Sequence, residues 1–146
     1  MSGITLGVDA GSTSFKAVAL GPDGALLAAT VQPMHPRIEE QTARELAALR
    51  ARVGAAADAP VGATGYGRRR VPAARALTEI TCHARGSWPV VKRPHVLIDQ
   101  GGQDTKVIRV GEGGTVVDFS MNDKCAAGTG RFLEVLLGRL HVTFAE

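Results

Sequence analysis

The chain has 146 residues, enough for one ordinary domain or for one lobe and part of another, and its 45% hydrophobic and 21% charged residues are those of a soluble globular protein. The net charge is +3, but with aromatics at 4% there is little to stack on bases, so the basic run GRRR (Gly67 to Arg70) reads as solvated surface rather than a nucleic-acid footprint. No apolar run reaches the roughly 18 residues that span a bilayer, an acid at Asp9 comes too early for a signal peptide, and two cysteines without a secretory signal point to a reducing cytoplasm rather than a disulfide framework.

From the N-terminus, the apolar run ITLGV leads into a glycine turn, DAGSTS, and a second apolar run, FKAVAL. A further turn, GPDG, precedes ALLAATV, so the pattern predicts strand, turn, strand, turn, strand. A helix follows: Ile38, Thr42, Leu46, Leu49 and Val53 share one face, with Pro36 near the start and Gly54 just past the end. PVGATG (60–65) reads as a short strand, GYGRRR as a turn, and VPAARALTEITCHARG (71–86) as mostly helical. SWPVVKRP (87–94), with two prolines, is the predicted boundary between lobes.

The next segment repeats the first. GVDAGSTSFKAVALGPDGAL (Gly7 to Leu26) and LIDQGGQDTKVIRVGEGGTV (Leu97 to Val116) align without a gap. They share Asp9/Asp99, Gly11/Gly101, Lys16/Lys106, Gly21/Gly111 and Gly24/Gly114, with the same apolar outline around them. Five identities in register indicate a duplicated supersecondary unit. The expected organisation is α/β, with a first lobe at 1–92 and the beginning of a second at 93–146. In the second copy the three strands lead to a loop around Cys125 and a predicted helix from Thr129 to Leu140. The first lobe's later strand and helices have no counterpart there, so a fragment of a longer protein is expected.

Each copy places Asp, Gly, hydroxyl or amide residues and Lys in a tight turn between strands. Glycines let backbone N–H groups line an anion nest, and Gly11 with Ser12, Thr13 and Lys16, or Gly101 with Gly102, supplies such donors. Asp9 and Asp99 suit Mg²⁺ held through water beside phosphates, while Gln103 or Asp104 can orient an attacking water. Ordinary glycine-rich hairpins are the competing reading of a single such turn; the duplication argues against it. There is no G-x-x-x-x-G-K-[ST], and AGTGRF is not G-x-G-x-x-G, so neither a P-loop nor a Rossmann site is supported.

Cys125 follows Lys124 and precedes a predicted helix start, both of which favour thiolate. Local sequence leaves a packed thiol, a nucleophile and a metal ligand all open. Cys82 and His83 have no second pair at ligand spacing, and packing of the TEITCHARG helix is their better account. His35, His95 and His141 are isolated, and Trp88 reads as packing at the lobe boundary.

The two matched turns resemble the phosphate motifs of the acetate and sugar kinase/Hsp70/actin superfamily, whose two ribonuclease-H-like lobes close on ATP. Closer still is the family of 2-hydroxyacyl-CoA dehydratase activators and benzoyl-CoA reductase ATPase subunits. That resemblance is carried by TGYGR (64–68), TEITCHARG (78–86), D-x-GGQD (99–104) and MNDKCAAGTGRFLEV (121–135). It implies an actin-like ATPase that binds ATP and Mg²⁺ and works as a homodimer or paired with a homologous subunit. A [4Fe–4S] cluster shared between subunits would take Cys125 as ligand. Electrons would arrive from a reduced ferredoxin or flavodoxin-type donor and leave, driven by ATP, to a dehydratase or reductase partner. Asp9 to Lys16 would form one phosphate site and Asp99 to Asp104 the other. Family members continue into a complete second lobe with a second cluster cysteine and adenosine-binding glycines, which this sequence lacks, and Gln100 stands where activators usually carry an apolar residue. Little or no ATPase activity is therefore expected of these 146 residues alone. Two other functions fit the same turns: a small-molecule kinase of the superfamily, for which no acceptor base is evident, and a truncated, non-catalytic interaction module.

Overall fold

Period-two alternation in the first thirty residues becomes a meander of three antiparallel strands, β1 (Thr5–Ala10), β2 (Ser14–Leu20) and β3 (Leu26–Pro33). The structure is a computed structural model that describes residues 3–122, Gly130, Val135 and residues 137–139. Leu6, Val8 and Ala10 point to one face of β1, and Phe15, Ala17 and Ala19 to the same face of β2; all six are buried. The helix α1 (Ile38–Val53) covers them with Leu46 and Leu49. Of its predicted apolar face, Thr42, Leu46 and Leu49 are buried, while Ile38 and Val53 are packed at the margin. Glu39 and Glu40 in the first turn and Arg50 and Arg52 in the last complement the helix dipole. Gly54 ends it with φ 64°, a left-handed cap whose N–H donates to Arg50 O.

Because α1 carries the chain back across the sheet, the next strand, β4 (Val61–Thr64), pairs parallel to β1. A short 3₁₀ turn (Arg68–Arg70) follows, then β5 (Arg75–Ala76), parallel to β4, which completes the order β3-β2-β1-β4-β5. The basic run is partly structural. Arg70 clasps Glu39 on α1 through two 2.7 Å hydrogen bonds, which hold the Glu39 carboxyl below its usual range. Arg68 donates to Gly65 O at 3.0 Å.

The helix predicted over 71–86 differs from the observed structure. Pro72 has no N–H to give, and the backbone around it finds partners on β4: Ala74 N–H donates to Val61 O at 2.9 Å and Leu77 N–H to Ala63 O at 2.8 Å. These long-range bonds outweigh the helix propensity of an alanine-rich stretch. The helix α2 instead spans Glu79–Val91, running through Ser87 and Trp88 with Pro89 in its last turn. Lys92, at φ 55°, closes it by donating its N–H to Trp88 O at 2.8 Å.

The chain divides into two compact units, Met1–Glu79 and Ile80–Glu146. In the second, β6 (His95–Gln100), β7 (Thr105–Val110) and β8 (Val116–Asn122) form an antiparallel sheet in that order. Ala84 of α2 is fully buried against Ile108 and Val110, flanked by Ile80, Trp88 and Leu97. Val96 and Ile98 of β6 are 62% and 68% exposed, whereas Leu6 and Val8, their counterparts in the repeat, are each 3% exposed. The Cys125 loop and most of the predicted 129–140 helix lie outside the described residues; Gly130, Val135 and residues 137–139 are helical. Among the described residues no helix is long and apolar enough to cross a membrane.

The duplication extends to backbone detail. Gly21 N–H donates to Ala25 O at 2.9 Å and Gly111 N–H to Thr115 O at 2.8 Å, and both ladders shift register at the same point, between Ala19/Leu20 and between Arg109/Val110. Gly24 (φ 80°) and Gly114 (φ 73°) occupy the same left-handed position. Their surroundings differ: a Cβ on Gly24 would meet nothing within 4 Å, while one on Gly114 would lie 3.0 Å from both Ala84 O and Trp88 Cβ. Gly24→Ala is expected to cost about 1–2 kcal/mol from backbone strain alone, and Gly114→Ala to cost more because α2 must also be displaced. Urea unfolding of the two variants would test the order, and equal losses would contradict it.

Candidate functional site

The first glycine turn joins β1 to β2. Asp9 and Lys16 are direct cross-strand partners, so both side chains stand on one face, with Lys16 Nζ 2.9 Å from Asp9 Oδ2. Gly11 closes the reversal by donating its N–H to Ser14 O at 3.1 Å. A Cβ on Gly11 would sit 2.9 Å from that same carbonyl oxygen, so a side chain there would force the turn open. Ser12 and Thr13 are left exposed at the tip.

Parallel pairing of β1 with β4 sets Asp9 beside Thr64, at the carboxyl ends of both strands, the edge where ligands bind in open α/β sheets. The TGYGR stretch leaves β4 at this point and folds onto the end of β1. Gly67 N–H donates to Ala10 O at 2.8 Å. Gly65, at φ 90°, approaches so closely that a Cβ would lie 2.5 Å from both Asp9 Oδ1 and Ala10 O. Asp9 is thus held on one side by Lys16 and backed on the other by the bare Cα of Gly65.

The second turn repeats the first and then departs from it. Asp99 pairs with Lys106 across β6 and β7, and Gly101 N–H donates to Asp104 O at 2.8 Å. Asp104 occupies the position of Ser14 in the first copy and brings in a second carboxylate. Lys106 Nζ lies 2.6 Å from Asp104 Oδ1 and 3.3 Å from Asp99 Oδ2. With 3% of its side chain exposed, against 47% for Lys16, Lys106 is buried between these acids. His83 on α2 also reaches Asp99, its Nε2 3.3 Å from Oδ2. Gln103 is exposed at the tip. Gly130, from the AGTGRF stretch, donates its N–H to Gly101 O at 3.0 Å.

The structure therefore brings together Asp9, Gly11 and Lys16 in one turn and Asp99, Gly101, Gly102, Gln103 and Asp104 in the other. Sequence reasoning missed the contact of His83 with Asp99 and the seat of Gly65 against Asp9. Both depend on how one element packs against another, β4 beside β1 and α2 against β6, and no local pattern announces them. Cys125 lies outside the described residues. Among the described residues, no three of His, Cys, Asp or Glu converge to hold a bare metal ion. Mg²⁺ carried by a nucleotide asks for less: one or two carboxylates, phosphate oxygens and water; Asp9 and Asp99 each present one carboxylate at the end of their own turn.

The model of the BadF/BadG/BcrA/BcrD ATPase family matches residues 6–146. The chain is 41% identical to the activator of lactoyl-CoA dehydratase of Anaerotignum propionicum, covering 97% of this chain and 56% of that protein. It is 42% identical to the (R)-2-hydroxyglutaryl-CoA dehydratase activating ATPase of Acidaminococcus fermentans, over 100% of this chain and 57% of the relative. The solved activator of the 2-hydroxyisocaproyl-CoA dehydratase from Clostridium difficile, with bound ADPNP, superposes with a TM-score of 0.84 at 38% identity, over 96% of this chain and 53% of that one. The chain spans a little over half the length of these relatives.

Gly65→Ala is expected to cost about 1–3 kcal/mol, because it combines a left-handed backbone with a clash into Asp9. Gly62→Ala, three residues earlier on β4 with nothing within 4 Å of its Cβ, should change stability by less than about 0.5 kcal/mol. Thermal unfolding of the pair would decide; a tolerated Gly65→Ala would remove the close approach to Asp9 as a constraint.

Proposed function

Because the chain belongs to the BadF/BadG/BcrA/BcrD ATPase family, we propose that it acts in an ATP-dependent activator that passes an electron to a 2-hydroxyacyl-CoA dehydratase or benzoyl-CoA reductase-type partner. The observation that carries this reading is the duplicated turn, with the same Asp–Lys pairing and the same glycine closure in both copies. A phosphate chain needs N–H donors, hydroxyls and cations at close range; the first turn offers all three in Gly11, Ser12, Thr13 and Lys16, and the second offers glycine N–H groups and the Gln103 amide.

In this reading Gly11, Ser12 and Thr13 bind phosphate oxygens, and Asp9 and Asp99 hold the water shell of Mg²⁺. Lys16 is half-exposed and its exposed ion pair is worth little, about 0–1 kcal/mol, so it can turn from Asp9 to an arriving phosphate. Of the two candidates for orienting the attacking water, Gln103 is the better, because Asp104 Oδ1 is already engaged by Lys106 at 2.6 Å. Gly130 links events at the second turn to the segment that carries Cys125, through its hydrogen bond to Gly101 O. With Cys125 as one of its ligands, a [4Fe–4S] cluster shared with a paired subunit would supply the low-potential electron. The donor would be a reduced ferredoxin or flavodoxin-type protein.

The test is ATP hydrolysis and dehydratase activation by the native, gene-encoded protein. Gln103→Ala should lower kcat about 100-fold with little change in KM, whereas Lys16→Ala should raise KM for ATP about tenfold, the loss of one charge-assisted contact. Hydrolysis indifferent to both substitutions would overturn the assignment of the two turns.

A further inference from the structure

The second turn contains a charge imbalance that the first does not. In the first copy one lysine serves one aspartate, at 2.9 Å. In the second, Lys106 is shared: it sits 2.6 Å from Asp104 and only 3.3 Å from Asp99. The replacement of Ser14 by its counterpart Asp104 therefore draws the buried ammonium away from the aspartate at the strand end. Asp99 has lost part of its counter-charge, yet it is only 23% exposed and has limited water to make up the difference.

The group that meets it is the imidazole of His83. We propose that His83 is a positioning residue for this turn: α2 delivers its Nε2 to Asp99 Oδ2, 3.3 Å away, where it holds the carboxylate that Lys106 shares with Asp104. A carboxylate has only acceptors, so the proton of this contact belongs on Nε2. The helix is fixed well enough for the task. Ala84, the next residue, is fully buried on Ile108 and Val110. Arg85 donates to Gly113 O at 2.7 Å, and Gly114 allows the helix backbone in so closely that a Cβ would lie 3.1 Å from Arg85 Cα. The second small turn of the repeat thus sets the helix register, and the register aims His83. This role rests on the reading of the second turn as part of the Mg²⁺–nucleotide site. It makes TEITCHARG part of that site's support instead of packing alone.

The native, gene-encoded protein would be compared with His83→Ala, His83→Gln and Asp99→Asn. In ¹⁵N-histidine NMR without nucleotide, Asp99→Asn should shift the His83 Nε2 resonance. In ATP hydrolysis, His83→Ala should raise the Mg²⁺ concentration for half-maximal rate about 10–100-fold, the usual effect of removing a residue that orients a metal-facing carboxylate. His83→Gln, which keeps an N–H donor, should recover most of that loss, with the melting temperature unchanged. An Nε2 resonance indifferent to Asp99→Asn, or an Mg²⁺ midpoint unmoved in His83→Ala, overturns the role. So does a loss that follows the melting temperature and is not recovered by glutamine. If the unmodified protein hydrolyses no ATP, the nucleotide reading itself falls and takes this role with it; normal hydrolysis with an unmoved midpoint removes only His83.

Discussion

A chain that reverses direction between two antiparallel strands while keeping an aspartate opposite a lysine must close its turn within a few residues. Here the closure is one backbone hydrogen bond, from Gly11 N–H to Ser14 O and again from Gly101 N–H to Asp104 O. A Cβ would come within 2.9 Å of Ser14 O at the first glycine, so that turn demands glycine; at the second it would come within 2.7 Å of Asp104 Oδ1, so a side chain there would push the Asp104 carboxylate aside. The closure also keeps the Asp–Lys pair in register and leaves the tip residues outside the ladder. Phosphate binding, on the proposed reading, uses what this single bond leaves over.

The features legible in the sequence were those whose cause is local. Apolar runs bounded by glycine turns marked the six meander strands, because both signals are local. Gly54 marked the end of α1 because a left-handed cap favours glycine. The duplication was readable because turns of this kind tolerate few residues. Five identities in register proved to be two copies of the same turn, with the same bulge and the same left-handed glycine. The α/β, actin-like fold of the family followed from that pattern and from the motifs around it.

Features that escaped prediction depend on partners distant in the chain. Residues 74–77 have good helix propensity, but the open edge of β4 takes their hydrogen bonds. The close seat of Gly65 against Asp9 exists only because β4 runs parallel to β1, a pairing that local sequence does not encode. Pro89 lies inside α2, where it forgoes one helical hydrogen bond, a local preference outweighed by the anchoring of the rest of the helix through Ala84 in the core.

The two copies also show how a repeat can diverge in use while keeping its fold. Lys16 and Lys106 occupy the same register position in the same turn, yet one is half-exposed and the other buried. The difference traces to the residue two positions earlier, Ser14 in one copy and Asp104 in the other. Removing Lys106 would leave two carboxylates facing each other with little water, a loss of the order of 3–5 kcal/mol for a broken buried pair. Lys106 is therefore committed to structure, and on the proposed reading Lys16 is the lysine that exchanges its partner for a ligand. The second copy then has to obtain its adaptable groups elsewhere: Gln103 at the exposed tip, and His83 from α2, beside Asp99. An ancestral hairpin that bound one anion symmetrically would have no need of this asymmetry. On the proposed reading, a first turn that holds phosphate and a second that directs water would make use of it.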